Sequence, residues 1–273
     1  MAGSFAFYFA VDTLFKRGVG WFPDDPNGRY LTLHVLCNGF VTLVHFDDVV
    51  RSYLDWTESY LGSDCDTRGV AVVYSLHLYH IAFFQPLPMI DWVHHVVMCI
   101  VMLPLAWLLQ PGPLLGHGAF FASGLPGGLD YVMLVMVKKG WLPSLTEKHV
   151  NSQIMVWLRC PGCLYHALFC WLAILELDKR HAAGVSPLLP HSPLPQTTSF
   201  AAKFCACVVM VTFFWNGLYF MERVVANCAT RSEQSRALGS RDRRGAMDGQ
   251  AGEGVLKGER SRERTHACAS QGD

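Results

Sequence analysis

Six apolar runs, each close to the length of one bilayer crossing, constrain this chain more than any other feature. They are Tyr30 to Phe46, Gly69 to Phe84, Asp91 to Leu109, Pro113 to Val137, Ile154 to Leu177 and Phe200 to Met221. A spanning helix needs about 20 apolar residues. Within lipid, a helix satisfies every backbone group inside one segment. The pattern predicts an all-α, polytopic transmembrane helical bundle of six spans. The shortness of several runs and the interrupted fourth leave the count open by one. Composition agrees: 16% of the 273 residues are charged and 51% are hydrophobic, where soluble domains average about 25% charged. A net charge of zero argues against a nucleic-acid partner. Most of the ten cysteines, Cys37, Cys99, Cys170, Cys205 and Cys207 among them, lie inside apolar runs and act there as small hydrophobes.

The organisation follows from these runs. Residues 1–29 form an N-terminal segment whose aromatic-rich start, Met1 to Phe15, either lies in the interface or is the remnant of a truncated first helix. The apolar stretch Phe5 to Val11 lacks the basic segment and cleavage site of a secretory signal. Residues 30–222 form the membrane domain. Tyr53, Trp56 and Tyr60 suit an interface, and Asp178 to Ser199 is a Pro-rich loop. Residues 223–273 are a basic tail, and from Asn227 onward they are too polar to bury a core, which predicts a disordered cytosolic segment. Six spans put both ends on one side. That side carries Lys16, Arg17, Arg29, Lys138, Lys139, Lys148 and Arg223, so the positive-inside rule makes it cytosolic.

Ionisable groups inside the runs point to function, because they are costly at membrane depth and face the bundle interior. Asp91, His94 and His95 head the third run on one helical face. His77 and His80 lie one turn apart on the second. The linker between these runs is short, which makes them antiparallel neighbours. Such a face is a candidate for general acid–base or nucleophilic catalysis, with His94 or His95 reacting and Asp91 orienting the ring. It is equally a candidate for metal binding or for holding a lipid headgroup. An interfacial reading, with Asp91 complementing a helix N-terminus, also stands. Gly127-Gly128-Leu129-Asp130 is either a helix break with a capping acid or a cavity-facing carboxylate. In this region the chain is one broken helix or a re-entrant pair. Arg159, seven residues from His166, either snorkels, serves as counter-ion to Asp130 or Asp91, or holds a phosphate or CoA group. Cys160-Pro161-Gly162-Cys163 lies inside a span, without the strand-to-helix setting of a redox motif, and reads as a kink with two buried thiols. Pro104 predicts a kink in the third run.

Asp91, His94 and His95 at the head of a central span, Tyr79-His80 before them, Asn216 and Tyr219 in the last span, and the order of spans together resemble the TLC-domain family, which includes the ceramide synthases. The resemblance covers Tyr30 to Met221. It implies a multi-pass protein of the endoplasmic reticulum or another endomembrane, acting in membrane lipid metabolism, homeostasis or sensing. In the synthase branch it implies acyl-CoA-dependent N-acylation with His94 and His95 central. That branch has paired aspartates further on, where this chain has Asp130 alone. Asp91 also stands where fatty-acid elongases have the first histidine of their box, and their other boxes are absent from the sequence. The expected site is therefore His94, His95 and Asp91 as catalytic candidates, with His77, His80, Asp130 and Arg159 for substrate. No metal or cofactor is required, and acyl-CoA is the co-substrate of the enzymatic reading. The partners are membrane lipids and a second copy of the chain. A small channel or transporter is the weaker alternative.

Overall fold

The computed structural model describes residues 2–55, 65–185 and 200–269. The expected interfacial Trp56 and Tyr60, and most of the Pro-rich loop, lie outside these. Among the described residues every regular element is helical. In chain order they are α1 (Ala2–Lys16), α2 (Pro26–Leu54), α3 (Arg68–Phe83), α4 (Met89–Val96), α5 (Leu103–Leu109), α6 (Pro113–Ala119), α7 (Leu125–Lys138), α8 (Ser144–Ile154), α9 (Cys160–Ala182) and α10 (Phe200–Ala269). Contacts divide the chain into two compact units, Met1–Val225 and Ala226–Asp273. Helix α10 continues past Asn227, where composition predicts an irregular tail. The Ala, Arg, Glu and Gln of that stretch are good helix formers.

Five helical stretches are long and apolar enough to cross a membrane: Pro26–Leu54, Asp91–Leu109, Pro113–Lys138, Ser144–Ala182 and Phe200–Ser240. Helix α3, the remaining expected span, has 16 residues and is about 24 Å long, shorter than the roughly 30 Å hydrocarbon core.

Three of these stretches share one construction. A π-helical turn precedes each of Pro104, Pro126 and Pro161: Val97–Met102 joins α4 to α5, Phe120–Gly124 joins α6 to α7, and Met155–Arg159 joins α8 to α9. In each the closing N–H bonds five residues back: Leu103 to Met98, Leu125 to Phe120 and Cys160 to Met155. Proline lacks an N–H and its ring clashes with the carbonyl four residues earlier. Widening the preceding turn lets the helix continue. The fourth run is thus one helical stretch with a π-turn, neither broken at its glycines nor re-entrant. Gly127 and Gly128 serve a different purpose, the close approach of α7 to α2: a Cβ on Gly127 would come within 2.9 Å of Asn38 Nδ2. Cys160 and Cys163 are buried and unpaired, and Gly162 lies so close to the Phe121 ring that a Cβ would overlap it.

The exposure pattern is that of a bundle in an apolar solvent. Trp92, Val93, Val96 and Ile100 form an exposed face opposite Asp91 and His95, and Tyr165, Leu168, Trp171 and Leu175 do the same on α9. Meanwhile His77, His80, His95, His117 and Glu147 are buried. Contiguous apolar surface of this kind needs a cover, and the hydrocarbon core of a membrane is compatible with it.

Helix α1 packs one face against the bundle. Tyr8 and Asp12 are each 1% exposed. Asp12 accepts from Arg29 Nε at 2.9 Å and Tyr79 Oη at 3.0 Å, and pairs with Lys16 at 2.8 Å, so one carboxylate ties α1, α2 and α3. Burial alone would raise the Asp12 carboxyl, but the bonds from Lys16, Tyr79 and Arg29 outweigh it and hold it below the ordinary carboxylate value.

Two ion pairs mark the ends of the bundle. Asp25, before α2, meets Lys138 at the end of α7 at 2.8 Å. Asp178, near the end of α9, meets Lys203, near the start of α10, at 2.6 Å. Depth can be read along the helices between them.

Candidate functional site: a histidine-faced cavity

Many of the polar groups of the spans meet on one cavity of about 740 Å3. Its lining changes with depth. Towards the Asp25–Lys138 end stand Tyr30 and His34 of α2, His77 of α3, Asp91, His94 and His95 of α4, Asp130 and Tyr131 of α7, and Asn151 and Arg159 from α8 and the turn after it. Towards the other end the walls are apolar and include Leu109, Leu114, Ala173, Leu177 and Val209, which pack in one cluster. The result is a polar chamber continuous with an apolar tunnel.

The chamber is built by helix ends of opposite direction. The last turns of α3 bring His77 to the first turns of α4, where the His77 and His94 Nε2 atoms are 3.1 Å apart. His77 Nδ1 donates to the Val73 carbonyl at 2.8 Å. In the neutral pair its Nε2 is therefore the acceptor and His94 Nε2–H the donor. His95 Nδ1 donates to the Asp91 backbone carbonyl at 2.5 Å. The ring is thus oriented by the main chain of Asp91, where the sequence suggested its carboxylate; the i,i+4 geometry of a helix start puts that carbonyl directly beneath the ring. His95 is 2% exposed, and its Nε2 has no hydrogen-bond partner among the described residues. This arrangement leaves a buried imidazole lone pair in the wall of the cavity.

His80 does not line the cavity. It is 1% exposed and packs behind the chamber, with ring centroids 4.3 Å from Tyr30 and 4.5 Å from His34. His34 takes the position at the wall. Its ring stacks on Tyr131 at 4.0 Å and its Nδ1 donates to the Tyr30 carbonyl at 2.9 Å. His34, Asn38 and His45 recur along α2 at spacings of four and seven, and the structure separates them. His34 and Asn38 reach the cavity, whereas His45 lies deeper along α2 and pairs with Asp48 at 2.7 Å. There Gly69 and Gly116 pack against the pair so closely that a Cβ on either would overlap it, which fits a helix-packing role. Tyr30, Tyr131 and Asn151 also line the chamber, and their only sequence signal is adjacency: Tyr131 follows Asp130, and Tyr30 precedes His34 by one turn.

Of the expected site residues, Asp91, His94, His95, His77, Asp130 and Arg159 all face this one cavity. So do Asn216, Tyr219 and His166. Asp130 Oδ1, Asn151 Oδ1 and Arg159 Nε are buried without hydrogen-bond partners among the described residues. Among the same residues, no three His, Cys, Asp or Glu side chains are arranged to share a metal ion.

This site and fold define a helical bundle with an internal amphipathic cavity. No family model matches the chain, and no curated protein or solved structure matches it.

Proposed function

We propose that this chain is a multi-pass endomembrane protein of the TLC type that takes a lipid into its cavity and acts in membrane lipid metabolism, homeostasis or sensing. The observation that carries the reading is the cavity itself, a polar chamber faced by His94 and His95 and continuous with an apolar tunnel. Its volume falls within the roughly 300–1,000 Å3 of small-ligand pockets, and its two-part lining matches a headgroup and a tail. In this reading both chain ends are cytosolic, α3 crosses as the short sixth span, and the polar chamber lies towards the cytosolic leaflet.

A second reading is favoured by the bare His95 Nε2: acyl transfer from acyl-CoA to an amine or hydroxyl. His95, or His94 beside it, takes the proton of the acceptor as its nitrogen or oxygen attacks the thioester carbonyl. The new C–N or C–O bond forms, the C–S bond breaks, and the proton passes to the departing CoA thiolate. An imidazole with one nitrogen clipped to a carbonyl and the other bare is placed to act as a base.

Histidine-directed labelling in intact membranes tests the shared premise. Diethyl pyrocarbonate should modify His94 and His95 slowly, and a long-chain amphiphile should slow it further. Rapid labelling indifferent to amphiphile would place them in open solvent and reject the cavity reading.

A further inference from the structure

Arg159 sits in the chamber wall in a state that a membrane interior does not favour. Its Nη2 makes one long bond, 3.4 Å to Asn216 Oδ1, and its guanidinium lies 4.6 Å from the Phe220 ring. Its Nε is buried without a hydrogen-bond partner, and among the described residues it forms no ion pair. A guanidinium is always charged and presents a planar fork of donors. Leaving one without a counter-ion at membrane depth is costly. Lys148, on the preceding helix, is already paired with Glu147 at 2.8 Å. About two turns earlier on the same helical stretch, Asn151 is 6% exposed with an unpartnered Oδ1 and also lines the cavity. An incoming group therefore meets a guanidinium that forms no ion pair among the described residues and an unpartnered amide oxygen, in a chamber that Asp91 and Asp130 also line.

The size of the cavity sets the rest of the ligand. At about 30 Å3 per water-sized group, 740 Å3 holds on the order of 25 such groups, enough for one long acyl chain and a compact head. From Arg159 to Leu177, at the apolar end, the helix rises about 27 Å, close to the roughly 30 Å thickness of a hydrocarbon core.

We propose that the cavity binds a single-chain amphiphile with an anionic head, a carboxylate or phosphate, gripped by the Arg159 fork while its tail lies along α9 towards Leu177. The assignment rests on the lipid-cavity reading above and adds the charge of the head and the number of chains. Asn151 accepts from a protonated oxygen or donates its amide to an anionic one. Phe220, which also lines the cavity, lies against the guanidinium.

The test compares two probes of equal chain length, palmitate and hexadecanol, on the purified full-length chain in detergent, with binding followed by displacement of a radiolabelled fatty acid. Wild type should prefer palmitate by roughly ten- to a hundredfold, the range of a charge-assisted pair. Arg159→Gln should remove that preference while leaving hexadecanol binding within about twofold, a control that also reports a folded cavity. A single-chain lysophosphatidate should compete with palmitate, whereas inorganic phosphate and a two-chain phosphatidate should not. Equal binding of the two probes by wild type overturns the anionic head and leaves the lipid cavity standing, a result that needs no variant. Competition by inorganic phosphate as strong as by palmitate overturns the tail. Binding of neither probe removes the cavity reading and this inference with it.

Discussion

Replacing His94 and His95 together by alanine is expected to return the lipid profile of cells expressing the chain to that of cells lacking it, while the protein stays in the membrane at normal abundance. Both side chains face the cavity, and neither belongs to the apolar clusters that hold the helices together. Their loss should thus affect the ligand far more than the fold. In the acyltransferase reading each single alanine removes a proton acceptor or its hydrogen-bonded neighbour and lowers product formation by about 10²–10⁴-fold. In the sensing reading a single alanine leaves a measurable response and the double alanine removes it. Lipidomics of a deletion strain complemented with wild type, each single variant and the double variant separates these outcomes. A profile indistinguishable from wild type in the double variant contradicts both.

The largest stability effect is expected at Asp12. Asp12→Ala strands Arg29, which is 7% exposed and would lose its carboxylate partner. Breaking a buried pair in this way costs about 3–5 kcal/mol. The same carboxylate makes stability pH-dependent, with a defined sign. Its folded value is depressed, so its contribution is present above the ordinary aspartate value of about 3.9 and is lost as pH falls through the lower folded value. Thermal melts in detergent should show wild type losing stability below about pH 4, with Asp12→Ala already low at neutral pH and losing less on acidification. Parallel acid profiles for the two proteins would deny Asp12 this role.

Much of this architecture was legible in the sequence because the controlling physics is local. Apolar runs of spanning length gave the helices, and Asp91, His94 and His95 at the head of one run identified the wall of the cavity. Two of the three prolines after π-turns, Pro104 and Pro161, were also visible, though only as sites of kinking. A missing N–H identifies where a helix must adjust, and the packing of neighbouring helices decides that it widens instead of breaking. Gly127 and Gly128 were ambiguous for a related reason. A glycine pair reads alike whether it ends a helix or admits a neighbour, and only the position of Asn38 on α2 distinguishes the two. His34 and Tyr131 lie on helices far apart in sequence, so their stacking carried no local signal. His80 shows the converse: it shares a helix face with His77, yet Tyr30 and His34 enclose it behind the wall.

The central claim is that the cavity holds one lipid, and the most direct measurement is the mass of the intact protein released gently from its membrane. Wild type should carry one single-chain lipid per polypeptide. Ala173→Trp, which fills the apolar tunnel at a buried wall position, should emerge without it while still melting cooperatively. A wild-type protein that emerges with no bound lipid, or an Ala173→Trp protein that keeps the same lipid at the same occupancy, would contradict the account.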